Sequence, residues 1–293
     1  MNTEILYSII IPHYNTPKLL QRLVDSIPQK DDIEVIIVDD NSDEGKKPKI
    51  VRENVNTYYL DAEQSKGAGR ARNIGLKHAK GRWLLFADSD DFFVDGMYEI
   101  LREYSDNSYD MIMFKADSVD SDTLQPTERN IGINGRIDAF LQGTTTAQSA
   151  SLAVHSPWSR MIRRDFVEDN NITFDEVIAS NDTMFTTKAT CLAKSIGISD
   201  KVLYTVTLRQ GSLWNSRKNP NNYLVRIGVH IKREEYLSSR EIQSSPLILL
   251  LFKMGYVDLR TNMKAFIMVL RSGFLFKGSY SYLKGFISRR LHS

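Results

Sequence analysis

The chain has almost no cysteine: one residue, Cys191, in 293. That excludes an intrachain disulfide and a cysteine-rich zinc site, and it is compatible with a reducing compartment. Charge of one sign is not in excess either. Lys and Arg number 38 against 36 Asp and Glu, so nucleic acid is not an expected partner. Long apolar runs are missing. The longest near the C-terminus, Pro246 to Phe252, stops at Lys253, well short of the roughly 20 residues a membrane-spanning helix needs. No basic stretch precedes the first apolar run, so no signal peptide is expected and the chain should stay on the side where it is made. Internal repeats and low-complexity tracts are absent. The composition, 25% charged and 42% hydrophobic, is that of an ordinary globular chain. It excludes a disordered chain, a collagen-like fibre and a multi-span membrane protein, and the length suits one or two domains.

What is present is an alternation of strand and helix signals. Tyr7–Ile11, Val35–Val38, Thr57–Leu60, Trp83–Ala87 and Met111–Phe114 are short apolar runs. Between them, Thr16-Pro17 reads as an N-cap followed by proline at the first helical position, and Ala68–Ala79 and Gly96–Tyr104 read as helices. Continuous apolar strands alternating with helices predict an α/β fold, a mainly parallel sheet with helices on both faces. Ser118 to Gly135 is polar and reads as loop. Asp182–Ala193 reads as a helix, Val202–Val206 as a strand, and the chain from Tyr223 onward as helical with a break near Ser244-Ser245-Pro246.

Two of the strands run into acid: Val38 into Asp39-Asp40, and Phe86-Ala87 into Asp88-Ser89-Asp90-Asp91. Ligands of open α/β sheets bind outside the carboxyl ends of the strands, so these side chains line one rim. If Phe86 to Asp90 stays extended, Asp88 and Asp90 point to one side. Two neighbouring carboxylates call for a cation between them, and hard oxygen donors favour Mg²⁺ or Mn²⁺ over zinc. Aspartate also ends strands for purely conformational reasons, and Asp39-Asp40 fits that reading equally well. Gly67-Ala68-Gly69-Arg70-Ala71-Arg72 imitates a dinucleotide fingerprint for five positions. The sixth position is Arg72, and the loop from Leu60 is too long for a tight turn. Arg70 and Arg72 nevertheless sit at a helix N-terminus, which favours anions.

Four stretches together, Ser8-Ile9-Ile10-Ile11-Pro12-His13-Tyr14-Asn15, Val38-Asp39-Asp40-Asn41-Ser42, Arg72-Asn73-Ile74-Gly75 and Ala87-Asp88-Ser89-Asp90-Asp91, resemble the family 2 glycosyltransferases of the GT-A fold in order and spacing. The likeness is strong from about Leu6 to Asp95. It continues more weakly through Trp158-Ser159-Arg160, Asn181-Asp182 and Arg209-Gln210-Gly211-Ser212. The resemblance implies an inverting transfer from a nucleotide-sugar donor, usually UDP-linked, to a hydroxyl of a glycan or lipid-linked saccharide. It also implies site residues. Pro12, Tyr14, Asn15, Asp40, Arg72 and Asn73 would border the nucleotide. Asp88 and Asp90 take the family's Asp-X-Asp places, touching ribose and binding Mn²⁺ or Mg²⁺, with Asp91 sharing the donor site. Arg209 would meet the phosphates, although Leu208 replaces the usual tyrosine. Asp182 matches the catalytic base; Asn181 stands where the family has Glu. Trp158 reads as core or acceptor platform, His13 as a partly exposed loop residue, and Cys191 as a buried helix residue.

From Leu259 to Ser293 there are seven basic residues and no acidic one, among many aromatics and aliphatics. A basic, greasy segment of this kind fits an anionic membrane surface, with a helical cap or a dimer interface as the plainer reading. The expected organisation is a nucleotide-sugar-binding half (1–115), an acceptor-binding half (116–215) and a basic helical extension (216–293). The expected location is cytoplasmic, with the tail offering peripheral attachment to the inner face of the plasma membrane. Two rival readings make different demands. A sugar-1-phosphate nucleotidyltransferase calls for a glycine-rich loop after the first strand, where Pro12-His13-Tyr14-Asn15 stands. A phospho-receiver suits Ile36-Ile37-Val38-Asp39-Asp40 but needs roughly half this length. A catalytically silent sugar-nucleotide-binding scaffold stays open because of Asn181.

Overall fold

The computed structural model describes residues 4–209, 219–242 and 246–275. Gln210-Gly211-Ser212, the break expected at Ser244-Ser245 and the tail beyond Leu275 lie outside them. The chain divides into two compact units: residues 1–177 with 184–209, and residues 178–183 with 210–293.

The first unit is built on strands β1 (Tyr7–His13), β2 (Ile33–Asp39), β3 (Val55–Tyr59), β4 (Trp83–Phe86), β5 (Phe92–Phe93), β6 (Met111–Asp120), β7 (Arg160–Arg163) and β8 (Ile196–Leu208). They form one sheet in the order β3-β2-β1-β4-β7-β6-β8-β5. The expected parallel core is there: β1 pairs in parallel with β2 and β4, β2 with β3, and β6 with β8. The sheet is nevertheless mixed, because β7 runs antiparallel to both β4 and β6, and β5 to β8. Two antiparallel steps through β7 restore the original direction. The carboxyl ends of β1, β2, β4, β6 and β8 therefore share one rim.

Side chains alternate across a strand, and this divides the core in two. Tyr7, Ile9, Ile11, Val35, Ile37, Trp83 and Leu85 fill one face, with α1 (Pro17–Asp25), α3 (Met97–Tyr104) and α4 (Ile131–Leu141) supplying Leu20, Leu23, Met97, Leu101 and Ile137. Ile10, Ile36, Val38, Leu84 and Phe86 fill the other, against Ala71 of α2 (Ala68–His78), Phe166 of α6 (Arg164–Asp169) and Phe185 of α7 (Thr183–Leu192). A short helix, α5 (Ala147–Leu152), precedes β7. Every residue of β1 and β2 is buried, which is why both read as unbroken apolar runs rather than as alternation.

Several expectations need correction. Ser118 to Gly135 is not all loop: β6 runs on to Asp120 and α4 begins at Ile131. The β8 strand is longer than Val202–Val206, because its two ends pair with different stretches of β6 across a register shift. Thr16 and Pro17 do open α1, but the Thr16 side chain makes no cap bond; its hydroxyl meets Ser89 Oγ at 3.0 Å.

The second unit contains α8 (Pro220–Ser238), α9 (Leu247–Met254) and α10 (Leu259–Ser272). They enclose a small core of Tyr223, Ile227, Leu247, Ala265, Val269 and Leu275. Among the described residues, no helix is long and apolar enough to cross a membrane.

Candidate active site

The rim begins with the loops after β1 and β2. Their register sets His13 beside Asp39. His13 Nδ1 lies 2.6 Å from Asp39 Oδ1, and the Thr16 backbone N–H donates to His13 Nε2 at 3.2 Å. With Nε2 accepting, the ring proton belongs on Nδ1, directed at Asp39. Ser42 also donates to Asp39, through Oγ at 2.6 Å and its backbone N–H at 3.0 Å. His13 and Asp39 are thus buried and spent on each other; His13 is not a partly exposed loop residue.

Asn15 adopts the left-handed region, φ 56°, which asparagine tolerates better than most residues. Its backbone N–H donates to Ser42 Oγ and its Oδ1 accepts from the Asp43 N–H. It therefore ties the two rim loops together. Asp40 accepts from the backbone N–H groups of Lys66 and Gly67, at 3.2 and 2.8 Å. That pins the approach to α2 while leaving each oxygen a further lone pair. Pro12 is buried opposite Val38, and Tyr14 is exposed.

The densest charge lies after β4. The strand ends at Phe86 and the chain turns, with the Asp91 N–H donating to the Asp88 carbonyl at 3.0 Å. Asp88 and Asp90 are therefore not held on one side by an extended strand. The turn brings their charges together instead, and several distant elements fix it. The Asp88 N–H donates to Tyr204 Oη at 2.9 Å. Arg22 reaches the Asp90 carbonyl through Nη2 at 2.6 Å. Thr207 donates its hydroxyl to the Asp90 carbonyl at 2.8 Å and its N–H to Asp91 Oδ1 at 2.7 Å.

Three carboxylates in four residues have a cost. Burial, then the Asp88 charge, pushes the Asp90 carboxyl above the usual carboxylate range, against the pull of Arg209 and Arg129. Burial together with Asp90 and Asp88 drives Asp91 well above it. Asp91 Oδ2 is buried without a hydrogen-bond partner among the described residues. The compensating cations are Arg72, whose Nη2 donates to Asp88 Oδ1 at 2.5 Å, and Arg209, 3.5 Å from Asp90 Oδ2. Arg72 also lies over the Phe174 ring.

Asn73 is adjacent to Arg72 but committed elsewhere. Its Nδ2 donates to the Phe174 carbonyl at 3.0 Å and its Oδ1 accepts the Phe174 N–H at 2.8 Å. Trp158 is core, stacked on Tyr204. Arg160 is buried, donating to the carbonyls of Ser151, Val154 and Ser156. Cys191 is half-buried. Asp182 belongs to the second unit, half-buried immediately before the first residue of α7. There it lies close enough to Arg226 of α8 for the two charges to interact.

A buried cation and a cluster of aspartates at the carboxyl rim of an open sheet suit a phosphate-bearing ligand; among the described residues, no group of three or more His, Cys, Asp or Glu side chains is placed to hold a metal ion. The glycosyl transferase family 2 model matches residues 8–170. The chain belongs to that family. Its fold is GT-A, with a helical C-terminal extension. Among similar proteins, the poly(ribitol-phosphate) β-N-acetylglucosaminyltransferase TarS of Staphylococcus aureus (strain MW2) is 30% identical over 227 residues, 72% of this chain and 37% of TarS. A poly(ribitol-phosphate) β-glucosyltransferase of Bacillus spizizenii is 30% identical over 221 residues, 70% of this chain and 32% of that one. The chain thus spans about a third of the length of these relatives. The crystal structure of S. aureus TarS 1–349 in complex with UDP-GlcNAc superposes with a TM-score of 0.61 at 21% identity, over 91% of this chain and 81% of that one.

Sequence reasoning did not find Arg22, Tyr204, Thr207 or Arg129. Arg22, Tyr204 and Thr207 bond to the Asp88–Asp91 turn and Arg129 acts on Asp90 through its charge; all four lie far away in sequence, and no local pattern marks them.

Proposed function

We propose that the protein is an inverting glycosyltransferase that moves a sugar from a UDP-linked donor to a hydroxyl of a glycan or lipid-linked saccharide. The observation that carries this reading is the Asp88–Asp91 turn, closed at its back by buried Arg72. Asp88 and Asp90 offer the hard oxygens that would hold Mn²⁺ or Mg²⁺, and a divalent cation there would relieve their mutual repulsion. When bound, that ion would supply Lewis-acid neutralisation of the charge growing on the departing diphosphate. Arg72 orients Asp88, and Arg209 stands beside Asp90 for the phosphates. Asp91, tied to Thr207, shapes the donor side.

Asp182 takes the proton of the acceptor hydroxyl on one carboxylate oxygen. The acceptor oxygen then bonds to the anomeric carbon from the face opposite UDP, the bond from that carbon to the diphosphate breaks, and UDP leaves with its electron pair. The start of a helix suits a carboxylate, and the charges of Asp182 and Arg226 interact there. The names of the relatives support a hydroxyl-rich polymer such as poly(ribitol-phosphate) as acceptor. Use of a nucleotide sugar and the single cysteine fit a cytoplasmic protein.

The test uses purified protein, a panel of radiolabelled UDP-sugars, Mn²⁺ and a polymer or lipid-linked acceptor. Asp182→Asn is expected to lose about 10²–10⁴ in kcat while UDP with Mn²⁺ still raises its melting temperature. Asp90→Asn is expected to lose both transfer and the Mn²⁺-dependent part of that rise. Unchanged turnover in Asp182→Asn removes it as the base. Donor binding without turnover in the wild type indicates a silent scaffold instead.

A further inference from the structure

Helix α10 has two apolar faces, and only one is buried. Ala265 and Val269 pack into the core of the second unit, and Thr261 on the same side is buried. Leu259, Met263, Phe266, Ile267 and Leu270 do not: they are 68, 55, 43, 41 and 53% exposed. Their spacing, i, i+4, i+7, i+8 and i+11, makes one continuous stripe along the helix. Exposed apolar residues scattered singly need no explanation, but an unbroken stripe does. The stripe is also bordered by charge. Arg260, Lys264 and Arg271 are exposed along one flank, about a quarter-turn round from the stripe. Nearby, Phe252, Lys253 and Tyr256 are exposed as well.

The charge decides what covers the stripe. A second copy laid face to face would bring these cations together, with no acidic residue on α10 to receive them, and like charges across an interface are costly. Residues 276–293 are no better as a cover, since they add four more cations and no acid. A surface that is both apolar and negative satisfies the whole pattern. We propose that the outer face of α10 lies in the plane of an anionic membrane surface, its apolar stripe entering the headgroup boundary and Arg260, Lys264 and Arg271 meeting lipid phosphates. The proposal stands apart from the transfer chemistry and is read by binding alone.

Vesicle flotation of the full chain tests it. The protein is expected to float with vesicles of mixed phosphatidylcholine and phosphatidylglycerol, far less with phosphatidylcholine alone, and less again as salt rises. Lys264→Gln is expected to weaken partitioning by about five-fold, the usual effect of one cation near such a surface. Phe266→Ser with Ile267→Ser is expected to lower it by at least about ten-fold. Both positions face solvent, so circular dichroism and the melting temperature should stay near wild type. Wild-type protein that remains unbound in the presence of the mixed vesicles overturns the proposal. So does flotation undiminished by the double substitution, which would place the contact elsewhere in the chain. A concentration-dependent dimer that the same substitutions dissociate, without vesicle binding, would give the stripe to a second copy.

Discussion

Arg72 is 6% exposed and Asp88 29%, so the guanidinium stands behind the carboxylate, 2.5 Å from its Oδ1, and the carboxylate faces outward. The arrangement sets a cation at the back of Asp88, beside Asp90 and Asp91, while its free edge is presented to a ligand. Arginine suits this place because its planar fork can hold a carboxylate while lying over Phe174.

Removing Arg72 leaves Asp88 next to two other acids with its principal cation gone. Arg72→Ala is expected to cost about 2 kcal/mol, less than for a fully buried pair because Asp88 is partly solvated. It should also weaken UDP binding by isothermal titration. Asp88→Ala in the same background should return part of that stability, with a coupling energy of about 1–2 kcal/mol. Strictly additive losses would mean that the pair does not act as a unit. Arg72→Lys keeps the charge without the fork, and is expected to retain stability better than donor affinity.

A pH dependence is written into α8. Burial, aided by the charges of Arg233, Arg226 and Lys253, pulls His230 down from 6.5 to about 4. The folded protein therefore binds fewer protons at this side chain than the unfolded chain does between these values. The His230 contribution is fully present above pH 6.5 and is lost as the pH falls through 6.5 toward 4, on the order of 2 kcal/mol after allowance for the partial exposure of the side chain. The melting temperature of the wild type should fall more steeply over that acid limb than that of His230→Gln. Parallel curves would show that His230 carries no such linkage.

The strands of the sheet were legible because burial on both faces leaves an unbroken apolar run, as in Tyr7–Ile11. The aspartates of the rim were legible because they follow such runs directly. What the sequence hid is what pairs at a distance. The polar outer half of β6 reads as loop until β8 is laid beside it, since Lys115 and Asp117 break the apolar run. His13 reads as exposed until the register sets it beside Asp39. Asp88 and Asp90 were expected to meet by strand alternation. They meet through a turn, held by Arg22, Tyr204 and Thr207 from elements far away in sequence. A local pattern contains no trace of such long-range bonds.

Gly75 shows how a single small residue can govern the site from a distance. It lies one turn along α2 from Arg72, against β1, and a Cβ there would overlap Ile10 Cγ2. The helix can approach the sheet this closely only because glycine stands at the contact. Gly75→Ala must push α2 outward or force Ile10 out of its rotamer, at a cost of about 1–3 kcal/mol. An outward shift carries Arg72 away from Asp88, so donor affinity should fall along with stability, although residue 75 points away from the rim. Ile10→Ala alone opens a cavity and is expected to cost about 2–5 kcal/mol. In the double variant the new methyl occupies part of that cavity. The combined loss should then be smaller than the sum by at least about 1 kcal/mol, and UDP affinity should recover toward wild type. Chemical denaturation of the four proteins, with titration of UDP into each, separates the two effects: additive stabilities, or affinity unchanged in Gly75→Ala, would mean that the α2–β1 contact does not set the position of Arg72.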